Sequence, residues 1–317
     1  MSQPSVDVSL IIISLNSREY LRGCIDSIVA AQWRDVVYEI VVTDNGSTDG
    51  TLEMLEASYP TVRVMSHGRN LGFCPASNLA AVASSGRYIM FLNDDILIYD
   101  DAIASLVEWM DANPEAGAIG SRLLNPDGTD QHSSGRTWPT PMNAIFGRKS
   151  KLSAMFPNAK WVRQYLISER IDQDSPYRVD WLSAAALMVR REAYEAGGRL
   201  AEDFYYFHEL VFCRRMEKAG WLSYLHPRSK IMHYEGAGSG YRTLRVRRKH
   251  AIAFHVGAYK WYTRHHSMPP LSPLRLIVAA VLAARGVLVV ATEYARAPLQ
   301  RRSRAVREIR PEGGTAL

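Results

Sequence analysis

Val8 to Ile13 is a run of branched apolar residues broken only by Ser9, the pattern of a strand buried on both faces in a parallel sheet. A strand of that kind needs helices on both sides. Leu21, Cys24, Ile25, Ile28 and Val29 follow at helical spacing behind Ser17, which can cap the helix, so one face is expected to pack on the sheet. The unit then repeats: strand Glu39–Thr43, helix Thr51–Ser58, strand Val62–Ser66, helix Pro75–Ser84 and strand Arg87–Leu92. The expected class is α/β, a mostly parallel central sheet flanked by helices, and such sheets bind ligands beyond the carboxyl ends of their strands.

Those strand ends carry polar residues: Asn16-Ser17 after the first, Asp44-Asn45-Gly46-Ser47 after the second, Arg69-Asn70 after the third and Asn93-Asp94-Asp95 after the fourth. All four are expected on one rim. The sequence has neither G-x-G-x-x-G nor the G-x-x-x-x-G-K-[ST] loop, which argues against a dinucleotide fold or a P-loop kinase. At 317 residues and 47% hydrophobic, the chain can bury one large core. Its net charge of +6 is concentrated after about residue 240, in Arg242–Lys249 and Arg296–Arg310, away from this rim. Nucleic acid is therefore not the expected partner.

Cys24, Cys74 and Cys213 have no zinc-ligand spacing, and the first seven residues lack the features of a secretory signal, so a reducing cytosolic setting is expected. Asn45-Gly46-Ser47 then matches a glycosylation acceptor only by accident.

Adjacent carboxylates at Asp94 and Asp95 repel unless a cation lies between them, and Mg²⁺ or Mn²⁺ held there would neutralise a diphosphate leaving group. Capping of a following helix is the alternative reading. Asp44 either accepts from ribose hydroxyls or a base N–H, or simply forms the Asp-Asn-Gly turn.

These segments resemble glycosyltransferase family 2 enzymes of the GT-A fold. The matching stretches are Leu10–Asn16, Val41–Thr51, Asn70–Phe73 with Asn78, and Phe91–Asp95. The likeness continues through Gly120–Leu124, Asp180–Ala185, Val189–Ala193 and Phe204–Glu209 to about His233. Within the family the segments look most like bacterial rhamnosyltransferases that build cell-envelope polysaccharides. The resemblance implies a catalytic domain over residues 1–266. It assigns nucleotide-sugar contacts to Asn16, Asp44, Asn45, Arg69, Asn70, Asn93 and Asp94, metal ligands to Asp95 and His233, and acceptor contacts to Trp181, Ser183 and His208. The implied donor is dTDP-rhamnose or a UDP-sugar, and the implied acceptor is a glycan or a lipid-linked saccharide. The family usually carries Glu-Asp and a further Asp two places on, its first Asp acting as general base. Here those positions read His208-Glu209 and Val211, and Ala184 stands where Gly is usual. Glu209 keeps a carboxylate at the base position.

Such a base suits the chemistry, because an acceptor hydroxyl attacks the anomeric carbon more readily as its proton is removed, and one displacement inverts configuration. Phe204, Tyr205, Tyr206, Phe207 and Phe212 offer an apolar surround. A helix-start carboxylate satisfying backbone N–H groups is the plainer role for Glu209, and a packed histidine the plainer role for His233. Gly236–Gly240 reads as a loop that closes over substrates or as a linker, and Arg242–Lys249 as a phosphate grip or a solvated face.

Residues 267–317 form the expected appendage. Ten Leu, Ile and Val residues between Leu274 and Ala295 favour insertion by about 3–6 kcal/mol, against about 2.5–3.5 for a central Arg. Arg275, Arg285, Glu293 and Arg296 fall within an arc of roughly 80° at helical spacing. A helix lying on the inner membrane surface is expected, with a helix docked on protein as the alternative. Two other functional classes remain open at this stage. A nucleotidyltransferase would release pyrophosphate, and a non-catalytic nucleotide-sugar-binding partner would not need Glu209.

Overall fold

The computed structural model describes residues 6–139, 155, 173–235 and 244–308, with the backbone alone for 244, 245 and 293–308. Two compact units are formed, residues 1–204 with 208–239 and residues 205–207 with 240–317. The second unit therefore starts ahead of residue 267, where the sequence reading began the appendage.

The first unit opens with the alternation expected: β1 (Val8–Ser14), α1 (Arg18–Ala30), β2 (Tyr38–Asp44), α2 (Thr51–Ser58), β3 (Arg63–Ser66), α3 (Phe73–Ala83) and β4 (Tyr88–Asn93). It continues through β5 (Ile96–Ile98), α4 (Ala102–Ala112), β6 (Ala116–Leu124), β7 (Gly135–Arg136), β8 (Tyr177–Val179), β9 (Trp181–Leu182) and β10 (Ala186–Arg190). α5 (Arg191–Ala196), α6 (His208–Lys218) and β11 (Leu222–His233) complete it. The main sheet runs β3-β2-β1-β4-β10-β6-β11-β5, with β8 also on β11, and β7 pairs β9 separately. The half β3-β2-β1-β4 is wholly parallel. Antiparallel β10 joins it to the parallel pair β6 and β11.

Val8, Leu10, Ile11 and Ile12 have no exposure at all, as a strand covered on both faces requires. α1 buries Leu21, Cys24, Ile25 and Ile28 against the sheet, each of the larger side chains contributing about 1.5–3 kcal/mol. Val29, expected on that face, points away and is 61% exposed. Ser17 makes no capping hydrogen bond. Asp49, from the β2–α2 loop, instead accepts the Arg18 N–H at 3.0 Å, so α1 is capped across the rim rather than from its own chain neighbour. The alternative that Asp94 or Asp95 caps a following helix fails, because the next element is strand β5.

The second unit contains α7 (Leu244–His265) and α8 (Pro273–Glu308). Arg275 donates to the Tyr259 hydroxyl (2.8 Å), and Arg285 to His255 Nε2 (2.8 Å), so α7 satisfies both arginines that interrupt the apolar run. Opposite, Leu274, Leu276, Ile277, Val281, Val287 and Leu288 are exposed. Tyr206 and Phe207 belong here, with Tyr206 bonded to His250 and Phe207 against Phe254, so they pack on α7. Arg247–Lys249 also lie on α7. The Gly236–Gly240 loop and Arg242 are outside the described residues.

Candidate active site

Strand register aligns the rim. Ser14 pairs with Asp44, Ile13 with Asn93 and Asp44 with Ser66, so β1, β2, β3 and β4 end level and their loops emerge together. Asn16, at φ 51°, accepts the Thr48 N–H through Oδ1 (2.8 Å) and donates its own N–H to Ser47 Oγ (2.9 Å). It ties the β1 loop to the β2 loop. Asp44 is wholly buried, and its Oδ2 accepts the N–H groups of Gly46 (3.0 Å) and Ser47 (3.1 Å). The turn accounts for these contacts, and in this conformation the carboxylate offers no open face to a ribose or base. Asn45 donates to the Gly72 carbonyl at 3.4 Å, while its buried Oδ1 has no hydrogen bond. Gly46 has φ +87°, and a Cβ there would meet the Arg69 backbone at 3.0 Å. Arg69 and Asn70 are exposed; Asn70 Oδ1 fixes its own loop by accepting the Gly72 N–H at 2.8 Å.

At the end of β4, half-buried Asp94 has its pKa pushed up to about 7, first by burial and then by the charge of Asp95, against the pull of the Ser14 and Ser17 hydroxyls. Asp95 is 6% exposed. Its Oδ1 lies 3.3 Å from His233 Nε2 and makes no hydrogen bond. Gln131 orients that imidazole. Its Nε2 donates to the His233 carbonyl (2.6 Å), which leaves its Oε1 to accept from His233 Nδ1 (3.0 Å). The His233 proton is thereby assigned to Nδ1, and the Nε2 lone pair accepts a hydrogen bond from Asn93 Nδ2 at 3.1 Å. An orphaned carboxylate oxygen beside an oriented imidazole lone pair fits Mg²⁺ or Mn²⁺. Among the described residues no group of three or more His, Cys, Asp and Glu could hold a metal ion. A cation here would thus have two protein ligands, and phosphate oxygens and water would supply the rest.

The acceptor-side residues reach the same rim through the Asn93 N–H, which donates to the Ala185 carbonyl at 3.1 Å. Ser183 is half-buried and donates its N–H to the Ser134 carbonyl. Trp181 is buried. Its Nε1 donates to the Thr137 carbonyl (3.0 Å) and the Arg136 guanidinium lies 4.7 Å over its ring, so its visible part is to fix this loop. His208 and Glu209 open α6. The Phe73 ring, at the start of α3, is 5.1 Å from the His208 ring, and the Cys74 thiol points at the Phe204 carbonyl. Asn78 on α3 clamps the chain just before, donating to the Leu200 carbonyl and Glu202. These contacts carry α6 to the rim where Gly72 meets Asn45. The Glu209 side chain as a whole is 19% exposed, while its Oε2 is buried and makes no hydrogen bond.

Sequence reasoning missed Gln131 and Asp49. Each acts on a partner remote in sequence, Gln131 on His233 over 102 positions, and no local pattern marks it.

Glycosyl transferase family 2 matches residues 9–196. The chain is 30% identical over 270 residues to the N-acetylglucosaminyl-diphospho-decaprenol L-rhamnosyltransferase of Mycobacterium tuberculosis, covering 81% of this chain and 85% of that one. It is 26% identical to the O-antigen biosynthesis protein RfbC of Myxococcus xanthus over 73% of this chain and 17% of that one. Among solved structures, the mannosyltransferase PcManGT from Pyrobaculum calidifontis, in complex with GDP-Man and Mn²⁺, superposes with TM-score 0.56 at 17% identity, covering 96% and 81% of the two chains. S. aureus TarS 1–349 in complex with UDP-GlcNAc does so with TM-score 0.52 at 15% identity, covering 90% and 82%. The GT-A fold is thus shared, and with a parallel half-sheet whose polar loops form one rim, the chain is a glycosyltransferase and belongs to glycosyltransferase family 2.

Proposed function

We propose that the enzyme transfers a single sugar, with inversion, from a nucleotide diphosphate donor to a hydroxyl of a lipid-linked or growing envelope glycan at the cytoplasmic face of the membrane. dTDP-rhamnose is the first donor to test, because the relative that is 30% identical is named as an L-rhamnosyltransferase; a UDP-sugar is the second. The observation that carries the reading is the unpartnered Asp95 Oδ1 beside His233 Nε2, together with the unpartnered Glu209 Oε2 at the start of α6.

Asp95 and His233 would hold Mg²⁺ or Mn²⁺, which when bound offsets the negative charge of the diphosphate. The remaining work falls to the chain itself. The loop fixed by Asn16, Asp44 and Asn45 shapes the nucleoside end, with the free Asn45 Oδ1 able to accept from the base or ribose. The exposed Arg69 guanidinium faces phosphate. Asn93 and Asp94 flank it at the β4 end, and Asn70 holds the β3 loop. Ser183, on the loop fixed by Trp181, lines the acceptor side. Glu209 takes the proton of the attacking hydroxyl as its oxygen bonds to the anomeric carbon; the bond from that carbon to the diphosphate breaks, and its electron pair leaves with the phosphate.

Membrane attachment is assigned to α8. Pro273–Thr292 has mean hydropathy 2.2 and only 6% of it is buried, while the long-chain arginines are already satisfied by α7. That combination favours a helix lying in the interface with its apolar face in lipid and its basic tail near anionic headgroups.

Incubation with a panel of sugar nucleotides and Mg²⁺ or Mn²⁺ tests the reaction class. Free nucleoside diphosphate is expected; release of pyrophosphate would contradict glycosyl transfer.

A further inference from the structure

His208 is nine-tenths buried, yet neither ring nitrogen makes a hydrogen bond. Buried polar atoms are nearly always paired, because an unpaired one forfeits its hydration without return. The backbone leading into it is strained. Phe207, the residue before it, has φ +72°, a left-handed conformation rare for a bulky side chain. One face of the imidazole is covered by the Phe73 ring. Its Nδ1 stands 3.4 Å from Glu209 Oε2, which is likewise buried and unpartnered. Three polar atoms thus lie together without partners at the carboxylate assigned as base, and strain of this kind persists where a ligand completes the set.

Chemistry fixes how they would be completed. A carboxylate only accepts, so the neutral imidazole must offer it Nδ1–H, and the lone pair is then on Nε2. That lone pair requires a donor, and an acceptor saccharide brings hydroxyl groups beside the one that reacts. We propose that His208 is a positioning residue: its Nδ1–H orients Glu209 Oε2, and its Nε2 accepts a hydrogen bond from an acceptor hydroxyl other than the attacking one. This selects saccharide acceptors with a second hydroxyl neighbouring the nucleophile. The inference rests on the reading of Glu209 as base.

Two measurements on the full chain test it. The first needs no substrate: long-range ¹H–¹⁵N spectra of histidine-labelled protein, with His208 identified by its loss in His208→Asn. The neutral Nδ1–H tautomer at pH 7.5 is expected, with its signals displaced in Glu209→Gln. An Nε2–H tautomer, or signals indifferent to Glu209→Gln, would overturn the proposal. The second follows hydrolysis of the sugar nucleotide selected by the panel, with water as acceptor and free N-acetylglucosamine as competing saccharide. His208→Asn keeps a donor near the Nδ1 position, so its hydrolysis should fall less than that of His208→Gln, while the saccharide's inhibition constant rises about tenfold. His208→Gln reaches the Nε2 position instead, and should lose about tenfold in hydrolysis with little change in that constant. Equal losses in both variants, or wild-type behaviour in both, would leave His208 a packing residue and overturn the proposal. Normal turnover in Glu209→Gln would instead remove the base assignment itself, so the two failures are distinguishable.

Discussion

His233 Nε2 stands 3.3 Å from Asp95 Oδ1, and Gln131 holds the imidazole with its proton on the far nitrogen. The arrangement predicts that Gln131 tunes cation binding without touching the cation. Gln131→Ala should weaken Mn²⁺ binding about 10- to 100-fold, as loss of a supporting hydrogen bond to a ligand histidine does. Calorimetric titration of the purified protein with MnCl₂ checks this, and unchanged affinity would separate Gln131 from the site. Asp95→Asn should abolish the response.

Asp94 gives a pH dependence of defined sign. Burial and the charge of Asp95 raise its pKa to about 7. A carboxyl raised in the fold contributes stability that is present below its unfolded value near about 3.9 and is lost as pH rises through about 7. Without divalent cations the protein should therefore lose stability between about pH 4 and about pH 7, and Asp94→Asn should flatten that slope. Urea midpoints across the range measure it, and an identical slope in the variant would contradict the assignment.

Gly46 tests the link between the β2 and β3 loops. At φ +87°, with the Arg69 backbone 3.0 Å from any added Cβ, Gly46→Ala should cost about 1–3 kcal/mol and disturb the Arg69 loop. Chemical denaturation together with donor affinity reads both effects. A variant as stable as wild type would show that the loops separate freely.

The exposed apolar side of α8 predicts membrane recovery. In flotation with vesicles containing phosphatidylglycerol, the full chain should rise with lipid, and a chain ending at Pro270 should stay behind. Equal recovery of the two would remove attachment through this helix.

Much of the first unit was legible because its signals are local. The Val8–Ile13 run gave a strand buried on both faces, and helical spacing after it gave α1, since parallel strands and the helices that cover them repeat within short stretches of chain. Legibility fell where a partner comes from far away. Ser17 looked like the cap of α1, yet its hydroxyl is turned to Asp94, and Asp49, on a loop that the parallel sheet brings adjacent, accepts the Arg18 N–H. Val29 lies at the margin of the apolar stripe, and it is 61% exposed while its neighbour Ile28 is fully buried. Tyr206 and Phe207 looked like walls for Glu209, yet they pack on α7, a partner no local pattern names. The two arginines in α8 were readable as a polar stripe, while their partners Tyr259 and His255 were not.

The most direct test replaces one atom at the Glu209 carboxylate. Glu209→Gln keeps its shape but cannot take a proton, so transfer from the selected sugar nucleotide should fall at least about 10²-fold while donor affinity stays near wild type. Turnover within a few-fold of wild type in the folded variant would contradict a base at this position.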